Sequence, residues 1–312
     1  MNDRPQLPLV SACIGAYNRE GYIRETIDSV LAQTYPNIEV VVVDDASTDG
    51  TVDVIASYGD RVRLIRRDTN SGICPVTRNQ ATRAAKGAYI AYLDSDDAWF
   101  PTKIEKQVEF MESHPAIPVC HTYAELIDAE SRPCGIRHEG RLAATSNLFR
   151  SLLDHCWVTI SSVMVRADIF GRVGGYFTED RRYGIWGEEH EFLLRVSRQF
   201  EIGLVSEVLA KYRRHPDNIA SGNWKCTPES VPFNKMIIDR RDIWEGVASR
   251  AEVVEAFVAN CHANAEHWFY QGYGSRCMWF ATEALKVKPN DPRAWRDLGR
   301  GLLRATLPRR DK

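Results

Sequence analysis

The stretch Ala88-Tyr89-Ile90-Ala91-Tyr92-Leu93-Asp94-Ser95-Asp96-Asp97 sets an apolar run directly before three carboxylates. Such a run, bounded by polar residues, is typical of a buried strand that ends in a turn. A single residue separates Asp94 from Asp96, so the two carboxylates can reach the same point in space. Hard cations such as Mg²⁺ prefer oxygen ligands and keep substrate phosphate oxygens in their shell. The stretch therefore predicts a metal site at a strand end, with a solvated turn as the structural alternative.

Short apolar runs alternate with helical patterns upstream of this stretch. The pattern predicts strands at residues 9–14, 38–43, 62–65 and 88–93, and helices at residues 22–33, 50–58 and 77–86. This alternation implies right-handed crossovers and an α/β fold with an open, mostly parallel sheet and flanking helices. Ligands of such sheets bind at the carboxyl ends of the strands. The polar clusters at residues 17–19, 44–45 and 94–97 all fall there, so we expect them to form one site.

The pattern loosens after Asp97 and becomes helical near the C-terminus. It predicts helices at 101–113 and 187–199, strands at 118–123 and 158–165, a polar loop at 124–145 and an extended segment at 205–212. From residue 228 the strand signals stop, which predicts a main domain over 1–227 and a helical region over 228–312. Trp295-Arg296-Asp297-Leu298-Gly299 matches the opening of a tetratricopeptide-like repeat. A plain helical cap over the main domain is the alternative.

Charge and cysteine usage restrict the classes of partner and compartment. The 312 residues carry a net charge of −2, which gives no electrostatic reason to expect nucleic acid. Eight cysteines without a CxxC pair indicate neither a zinc site nor a disulfide framework, and predict reduced thiols in a cytoplasm. No apolar run reaches the roughly 18 residues that span a bilayer, so we expect any membrane contact to be peripheral.

The last 27 residues are basic, with nine Lys or Arg against three Asp over 286–312. A helix opened by Pro292 carries Trp295, Leu298 and Leu302 on one face and arginines along another. One interpretation is peripheral contact with the anionic inner face of a membrane. In the alternative, which the two glycines of this helix favour, the three apolar side chains pack on the preceding helices.

Four motifs, taken in order, resemble the signature of family 2 glycosyltransferases. They are Val10-Ser11-Ala12-Cys13-Ile14-Gly15-Ala16-Tyr17-Asn18-Arg19, Val43-Asp44-Asp45-Ala46-Ser47-Thr48-Asp49-Gly50-Thr51, Asn70-Ser71-Gly72 with Arg78-Asn79, and Lys86 to Asp97. The resemblance covers about residues 8–220. It implies the GT-A fold, inversion at the anomeric carbon, a nucleotide-binding half over 8–97 and an acceptor-binding half over 98–227. The sequence departs from the family at Gly15-Ala16, where Pro-Thr is usual.

The resemblance also implies roles for individual residues. Asp45 and Arg78 would contact the nucleobase, Asp94 the ribose and the metal, and Asp96 the metal, which would be Mg²⁺ or Mn²⁺. Ala16 and Tyr17 would line the nucleotide pocket. The segment Lys211-Tyr212-Arg213-Arg214-His215 resembles the Tyr-Arg-x-His loop of the family. It would place Arg213 or Arg214 on the diphosphate and His215 near the metal, with a solvated basic turn as the alternative.

An inverting transfer needs a base that takes the proton of the acceptor hydroxyl. The predicted helix at Gly187 offers Glu188, Glu189 and Glu191 close to its N-terminus, where the dipole favours ionised carboxylates. Glu189 shares a stripe with apolar residues and stands where the family has its catalytic Asp. Glu191 lies four residues before Arg195, which predicts a surface ion pair. We therefore expect Glu189 to be the base, with Glu188 as the alternative.

The leading hypothesis is a transferase that moves a sugar from a UDP, dTDP or GDP sugar to a saccharide or lipid-linked acceptor, in surface polysaccharide or glycoconjugate synthesis. A nucleotidyltransferase is disfavoured because residues 14–20 lack a Gly-rich basic loop, and a dehydrogenase because no G-x-G-x-x-G follows a strand. A catalytically degenerate nucleotide-sugar-binding module with a helical protein-interaction tail is the alternative from another class.

Overall fold

A computed structural model of the protein describes residues 7–137, 148–154, 156, 158–177, 179, 187–216, 218 and 230–306. Contacts divide the chain into two compact units. The first unit comprises Met1–Leu148, Trp157–Glu179 and Arg195–Pro216. The second comprises Phe149–Cys156, Asp180–Leu194 and Asp217–Lys312. Two segments that precede residue 217 thus cluster with the C-terminal helices.

The first unit begins with four parallel strands in the order β3-β2-β1-β4. These strands are β1 (Val10–Ala16), β2 (Ile38–Asp44), β3 (Arg63–Arg66) and β4 (Tyr89–Asp94). They are joined by helices α1 (Ile23–Leu31), α2 (Thr51–Ala56) and α3 (Cys74–Ala84). All seven predicted elements are present, with ends shifted by up to three residues. The apolar side of α1, including Ile23 and Ile27, is buried against the strands, as the helical periodicity predicts.

Beyond β4 the sheet is mixed. It continues through β8 (Met164–Arg166), β6 (Val119–Ile127), β9 (Ile202–Arg213) and β5 (Ala98–Trp99), while β7 (Pro133–Arg137) pairs with β6. In this half only the β6–β9 pair is parallel among the described strands. Helices α4 (Lys103–Ser113) and α6 (Ile169–Arg172) complete the unit. The parallel arrangement expected from the sequence thus describes the first four strands.

Two sequence predictions in this half are wrong in detail. The polar segment predicted as a loop over 124–145 contains the end of β6 and all of β7 in its described part. The strand predicted over 158–165 is shortened to β8, because residues Ile160–Ser162 form a 3-10 helix. That helix brings the fully buried Ser161 against the Asp94–Asp97 turn, where its hydroxyl binds Asp97.

The second unit is helical in its described residues. It contains α5 (Phe149–Asp154), α8 (Ser230–Asp239), α9 (Arg241–Trp244), α10 (Arg250–Tyr270), α11 (Gly274–Val287) and α12 (Pro292–Thr306). Helix α7 (Glu188–Ser197) begins in this unit and ends in the first. No helix within the described ranges is both long and apolar enough to cross a bilayer. The tetratricopeptide-like repeat stays a prediction.

Helix α12 packs on α11 through its small residues. Ala294, Asp297 and Gly301 are its buried positions, and the backbone of Gly301 lies against Gly274 and Met278 of α11. Trp295 and Leu302 are 57% and 56% exposed. The interpretation in which these two side chains pack on the preceding helices is therefore wrong. The helix rests on its small side because two glycine backbones can approach each other closely. Trp295 and Leu302 face outward, whereas Leu298, the third residue of the predicted face, is half-buried.

The two glycines of α12 form a matched pair for a stability test. A methyl group on Gly299 would meet nothing within 4 Å, whereas one on Gly301 would lie 2.6 Å from Met278 Cγ. We expect Gly299→Ala to stabilise the protein by about 0.5–1 kcal/mol, because alanine favours the helix. We expect Gly301→Ala to destabilise it by about 1–3 kcal/mol through overpacking. Chemical denaturation of both variants measures the difference, and equal effects would contradict the close packing of α11 and α12.

Candidate active site

The strand register brings three predicted clusters to one edge of the sheet. In the parallel pairings Ala16 lies opposite Asp44, and Gly15 lies opposite both Val43 and Asp94. The carboxyl ends of β1, β2 and β4 are therefore adjacent. The loops that follow β1 and β2 are also joined directly, because the backbone N–H of Asn18 donates to Ser47 Oγ over 3.0 Å.

Asp45, the predicted nucleobase residue, is held at the end of β2 by three groups. Its Oδ1 lies 2.8 Å from Nε of Arg67, the Ser71 amide lies 3.0 Å from both carboxylate oxygens, and Ser71 Oγ donates to Oδ2 over 2.6 Å. The side chain is almost wholly buried. These contacts fix the carboxylate in one orientation. A fixed orientation suits a group that recognises a planar ligand.

Arg67 is a member of this cluster that sequence reasoning missed. Arg67 directly follows β3, and the other site residues were predicted because they are polar and lie at strand ends of this sheet. The same pattern would have indicated Arg67. Asn70 was identified only within a motif, and its Nδ2 donates to the Asp45 carbonyl over 3.0 Å. The Asp45 pocket therefore depends on the segment that follows β3 as well as on β2.

Arg78 and Asp94, both predicted to contact the nucleoside, form an ion pair. Nη2 of Arg78 lies 3.0 Å from Oδ1 of Asp94, and its guanidinium lies 5.4 Å from the ring centre of Phe177. Arg78 is buried, whereas the Asp94 side chain is 38% exposed. A partly exposed carboxylate with a buried cation behind it can accept hydrogen bonds from a ligand hydroxyl. Tyr17 is exposed and Ala16 is buried at the same sheet edge.

Asp96 lies between the side chains of Arg19 and His215. Its Oδ2 is 3.2 Å from Nε of Arg19 and 3.1 Å from Nε2 of His215. Burial opposes ionisation of this carboxyl, but the hydrogen bond with His215 and the charge of Arg19 outweigh it and lower its pKa. Asp96 is therefore a stable anion that faces an imidazole nitrogen. Asp96 and His215, predicted as metal ligands from segments 119 residues apart, lie side by side.

Asp97 has a different environment from its two neighbours. Burial, followed by the charges of Asp96 and Asp94, raises the pKa of its carboxyl well above the usual value. Its oxygens accept hydrogen bonds from the Arg213 amide over 2.8 Å and from Ser161 Oγ over 2.6 Å. Asp97 thus serves to hold the turn and does not face a ligand.

Arg213 is also turned away from the role that the resemblance implied. Its guanidinium donates to the Asp96 carbonyl over 2.7 Å, to Ser131 Oγ over 2.7 Å and to Glu25 over 2.6 Å. The side chain is 1% exposed. A diphosphate ligand would need donors that these buried contacts already use, so the expectation for Arg213 is wrong. Arg214 is exposed.

Glu188 and Glu189 lie in the first turn of α7, where Glu188 is buried and Glu189 is half-buried. They belong to the second unit, and their catalytic role stays a prediction. Glu191 is buried and lies 3.4 Å from Nη2 of Arg240, so the predicted surface ion pair of Glu191 is wrong. Arg195 at the other end of the helix donates to the carbonyls of Val173, Gly175 and Tyr176.

Asp96, Arg19 and His215 form a group that we call the Asp96 cluster. Its residues fit a divalent cation in part. Within the described residues no group of three or more His, Cys, Asp or Glu side chains is arranged around a common point. A carboxylate oxygen of Asp96 and an imidazole nitrogen of His215 do converge. Such donors suit Mn²⁺ or Mg²⁺ when substrate phosphate oxygens and water complete the shell. The donor set therefore fits a cation that binds together with a nucleotide diphosphate.

Comparison with known proteins assigns the chain to a family. The model of glycosyl transferase family 2 matches residues 11–172. The chain belongs to this family. It is 32% identical over 227 residues to TuaG of Bacillus subtilis (strain 168), whose name provisionally assigns it to teichuronic acid biosynthesis; the match covers 72% of this chain and 86% of TuaG. It is 30% identical over 221 residues to an Escherichia coli protein, covering 70% of this chain and 82% of the relative. That relative is the UDP-Glc:alpha-D-GlcNAc-diphosphoundecaprenol beta-1,3-glucosyltransferase WfaP.

Two solved structures share the fold at low sequence identity. Staphylococcus aureus TarS 1–349 in complex with UDP-GlcNAc matches with a TM-score of 0.68 and 18% identity, over 95% of this chain and 89% of that chain. The mannosyltransferase PcManGT of Pyrobaculum calidifontis, in complex with GDP-Man and Mn²⁺, matches with a TM-score of 0.60 and 19% identity, over 96% and 86%. These findings confirm the predicted α/β fold of GT-A type. The protein is a glycosyltransferase.

Replacing Asp96 with Ala tests the Asp96 cluster. The variant removes the anion that faces His215 while the buried strand β4 stays intact, so we expect the fold to be retained. We expect the affinity for UDP, dTDP or GDP in the presence of Mn²⁺, measured by calorimetry, to fall about 10- to 100-fold, the loss of one charged ligand contact.

Calorimetry with EDTA is the control for this variant, because binding of the nucleotide alone should change little. An unchanged affinity and an unchanged metal requirement would contradict the assignment of Asp96 to the metal.

Proposed function

We propose that this glycosyltransferase is an inverting, metal-assisted enzyme that moves a sugar from a UDP, dTDP or GDP sugar to the hydroxyl of a saccharide or lipid-linked acceptor. The observation that carries the proposal is the convergence of Asp45, Asp94 and Asp96 at adjacent strand ends of a family 2 chain. The names of neighbours support the donor class, since TarS binds UDP-GlcNAc and PcManGT binds GDP-Man. The name of WfaP contains both UDP-Glc and a lipid diphosphate acceptor.

The nucleoside part of the donor would lie between the pairs Asp45–Arg67 and Asp94–Arg78. The rigid Asp45 carboxylate suits an N–H donor of a base edge, and we propose that Arg78 contacts the same base. Asp94, which is partly exposed, suits the ribose hydroxyls. Backbone of Ala16 and the exposed ring of Tyr17 would line the same pocket. Because the Asp45 carboxylate is already ordered by Ser71 and Arg67, its ordering cost is not incurred on binding.

The donor diphosphate would lie near Asp96 and His215, with Asp94 as a further candidate ligand. A bound Mg²⁺ or Mn²⁺ supplies charge stabilisation for the departing diphosphate. Arg19 adds a fixed cation beside Asp96, and its Nη1 is oriented by the Asn18 carbonyl over 2.9 Å. We propose that Asp96 and His215 hold the metal and that Arg19 balances the charge of Asp96.

Glu189 is the proposed general base, and Glu188 is the alternative. Both carboxylates lie in the first turn of a ten-residue helix, where the dipole favours the ionised form that a base requires. Glu188 is the more buried of the two, so Glu189 has the better access to a hydroxyl of an acceptor. The side chain of Glu189 is longer than that of the Asp usual in the family. The point that its carboxylate reaches therefore depends on the position of α7.

Replacing Glu189 with Gln tests this assignment. We expect turnover to fall about 10²- to 10⁴-fold, the range for loss of a general base, while the affinity for the donor stays unchanged. Turnover with a lipid-linked saccharide and donor hydrolysis without acceptor are the two measurements. Glu188→Gln is the matched control, and a larger loss in that variant would transfer the role. A wild-type protein that binds the donor but neither transfers nor hydrolyses it would instead support the degenerate binding module.

We propose that the enzyme acts in the cytoplasm, at the inner face of a membrane, where a lipid-linked acceptor is accessible. Free thiols at Cys13, Cys120, Cys134, Cys261 and Cys277 are in keeping with a reducing compartment. Residues 250–312 carry eleven Lys or Arg and seven Asp or Glu, in a chain with a net charge of −2. The C-terminal region is thus the positive part of an acidic protein, as contact with an anionic lipid surface requires.

The outward face of α12 would make this contact. Trp295, Leu302 and Leu303 are 57%, 56% and 69% exposed, and Arg296 flanks them. Acidic residues of the neighbouring helices are neutralised, since Glu255 pairs with Lys288 and Arg293. An exposed apolar face beside an arginine is typical of a helix that lies in a membrane interface.

Replacing both Trp295 and Leu302 with Ala tests the membrane contact. We expect binding to phosphatidylglycerol vesicles to fall about tenfold or more, because two large apolar side chains contribute over about 1.4 kcal/mol on burial. Leu31→Ala, which removes another exposed leucine, is the matched control. Co-sedimentation at low and high salt measures the effect. Equal binding of both variants, or a concentration-dependent dimer in place of vesicle binding, would contradict the proposal.

A further inference from the structure

An interlocked set of side chains connects α1 to the end of β9 beneath the Asp96 cluster. Glu25 Oε2 accepts from Nη2 of Arg213 over 2.6 Å and from Ser131 Oγ over 2.8 Å. The ring of Tyr22, three residues earlier, lies 5.1 Å from the Arg213 guanidinium and 4.6 Å from the His215 ring. Arg213 and His215 are both almost wholly buried. We refer to Tyr22, Glu25, Ser131 and Arg213 as the latch.

The latch contacts both proposed metal ligands, Asp96 through Arg213 and His215 through Tyr22. Its Nε donates to the Asp96 carbonyl over 2.7 Å, and its amide donates to Asp97 Oδ1 over 2.8 Å. Two residues further on, His215 Nε2 faces Asp96 Oδ2. A displacement of Arg213 would therefore move the Asp94–Asp97 turn and the His215 ring together.

Glu25 forms an ion pair with Arg213, whose Nη2 lies 2.6 Å from Glu25 Oε2. The Arg213 side chain is 1% exposed, and that of Glu25 is 41% exposed. Loss of a charged partner weakens the interactions that hold a buried guanidinium in place. The charge of Glu25 thus helps to hold Arg213 where its Nε donates to the Asp96 carbonyl.

We propose that Glu25 is a positioning residue for metal binding, which acts through Arg213 on both Asp96 and His215. The proposal rests on the proposed function, since it presupposes that these two side chains hold the metal. Glu25 lies outside the four motifs by which the family was recognised, and it gains its role only from the fold.

The test is Glu25→Gln, which keeps the length of the side chain and removes its charge. We expect the affinity for Mn²⁺ in the presence of UDP or GDP, measured by calorimetry, to fall about 10- to 100-fold, as for other residues that orient metal ligands. The affinity for the nucleotide in EDTA should stay within about twofold, because Asp45, Arg67 and Ser71 do not contact the latch. In activity assays the Mn²⁺ concentration for half-activation should rise, while kcat at saturating Mn²⁺ should stay within about threefold.

Asp28→Asn is the matched control, because Asp28 lies on the same helix and bonds the Tyr58 hydroxyl over 2.7 Å, away from the site. Hydrogen exchange without metal is an independent measurement: residues 94–97 and 211–215 should exchange faster in Glu25→Gln and not in Asp28→Asn. Metal affinity and exchange equal to wild type in Glu25→Gln would overturn the proposal. A wild-type enzyme without any metal dependence would instead remove the metal assignment of Asp96 and His215, and this inference with it.

Discussion

The buried carboxylate of Asp97 is the contact on which the geometry of the site depends. It joins the end of β4 to the end of β9 through the Arg213 amide and to the 3-10 helix through Ser161 Oγ. Burial and the charges of Asp96 and Asp94 raise the pKa of its carboxyl, and the hydrogen bonds from Ser161 and Arg213 oppose that rise. Asp94, by contrast, keeps a side chain that is 38% exposed, and Asp96 pairs with Arg19 and His215.

Helix α1 supports the same turn from the opposite side. Thr26 Oγ1 donates to the carbonyls of Ser95 and Asp97 over 3.0 and 2.8 Å, and Glu25 on the same helix binds Arg213. An acidic turn with unpaired backbone groups would be costly to bury. The contacts from α1, β9 and the 3-10 helix satisfy those groups. The site is rigid because its turn is fixed by three separate parts of the chain.

The C-terminal helices illustrate how packing can reverse an expectation from periodicity. The amphipathic pattern of α12 predicts that its apolar face is buried. In the structure the side that contains Gly301 is buried, because the absence of a side chain lets two helices approach more closely than leucine allows. Trp295, Leu302 and Leu303 are consequently exposed.

The sequence by itself determined the order of the first seven elements, the parallel pairing of four strands and the position of the carboxylates at their ends. These features follow from local periodicity and from the geometry of strand–helix crossovers, which a linear sequence contains. The tertiary structure decided which polar residues are buried in contacts that hold the turn together. Arg213 reads as a site residue in the sequence but is buried in structural contacts, while Arg67 and Glu25 gained their importance from the fold. Such roles depend on partners far apart in the chain, 188 residues in the case of Glu25 and Arg213, and no local pattern specifies them.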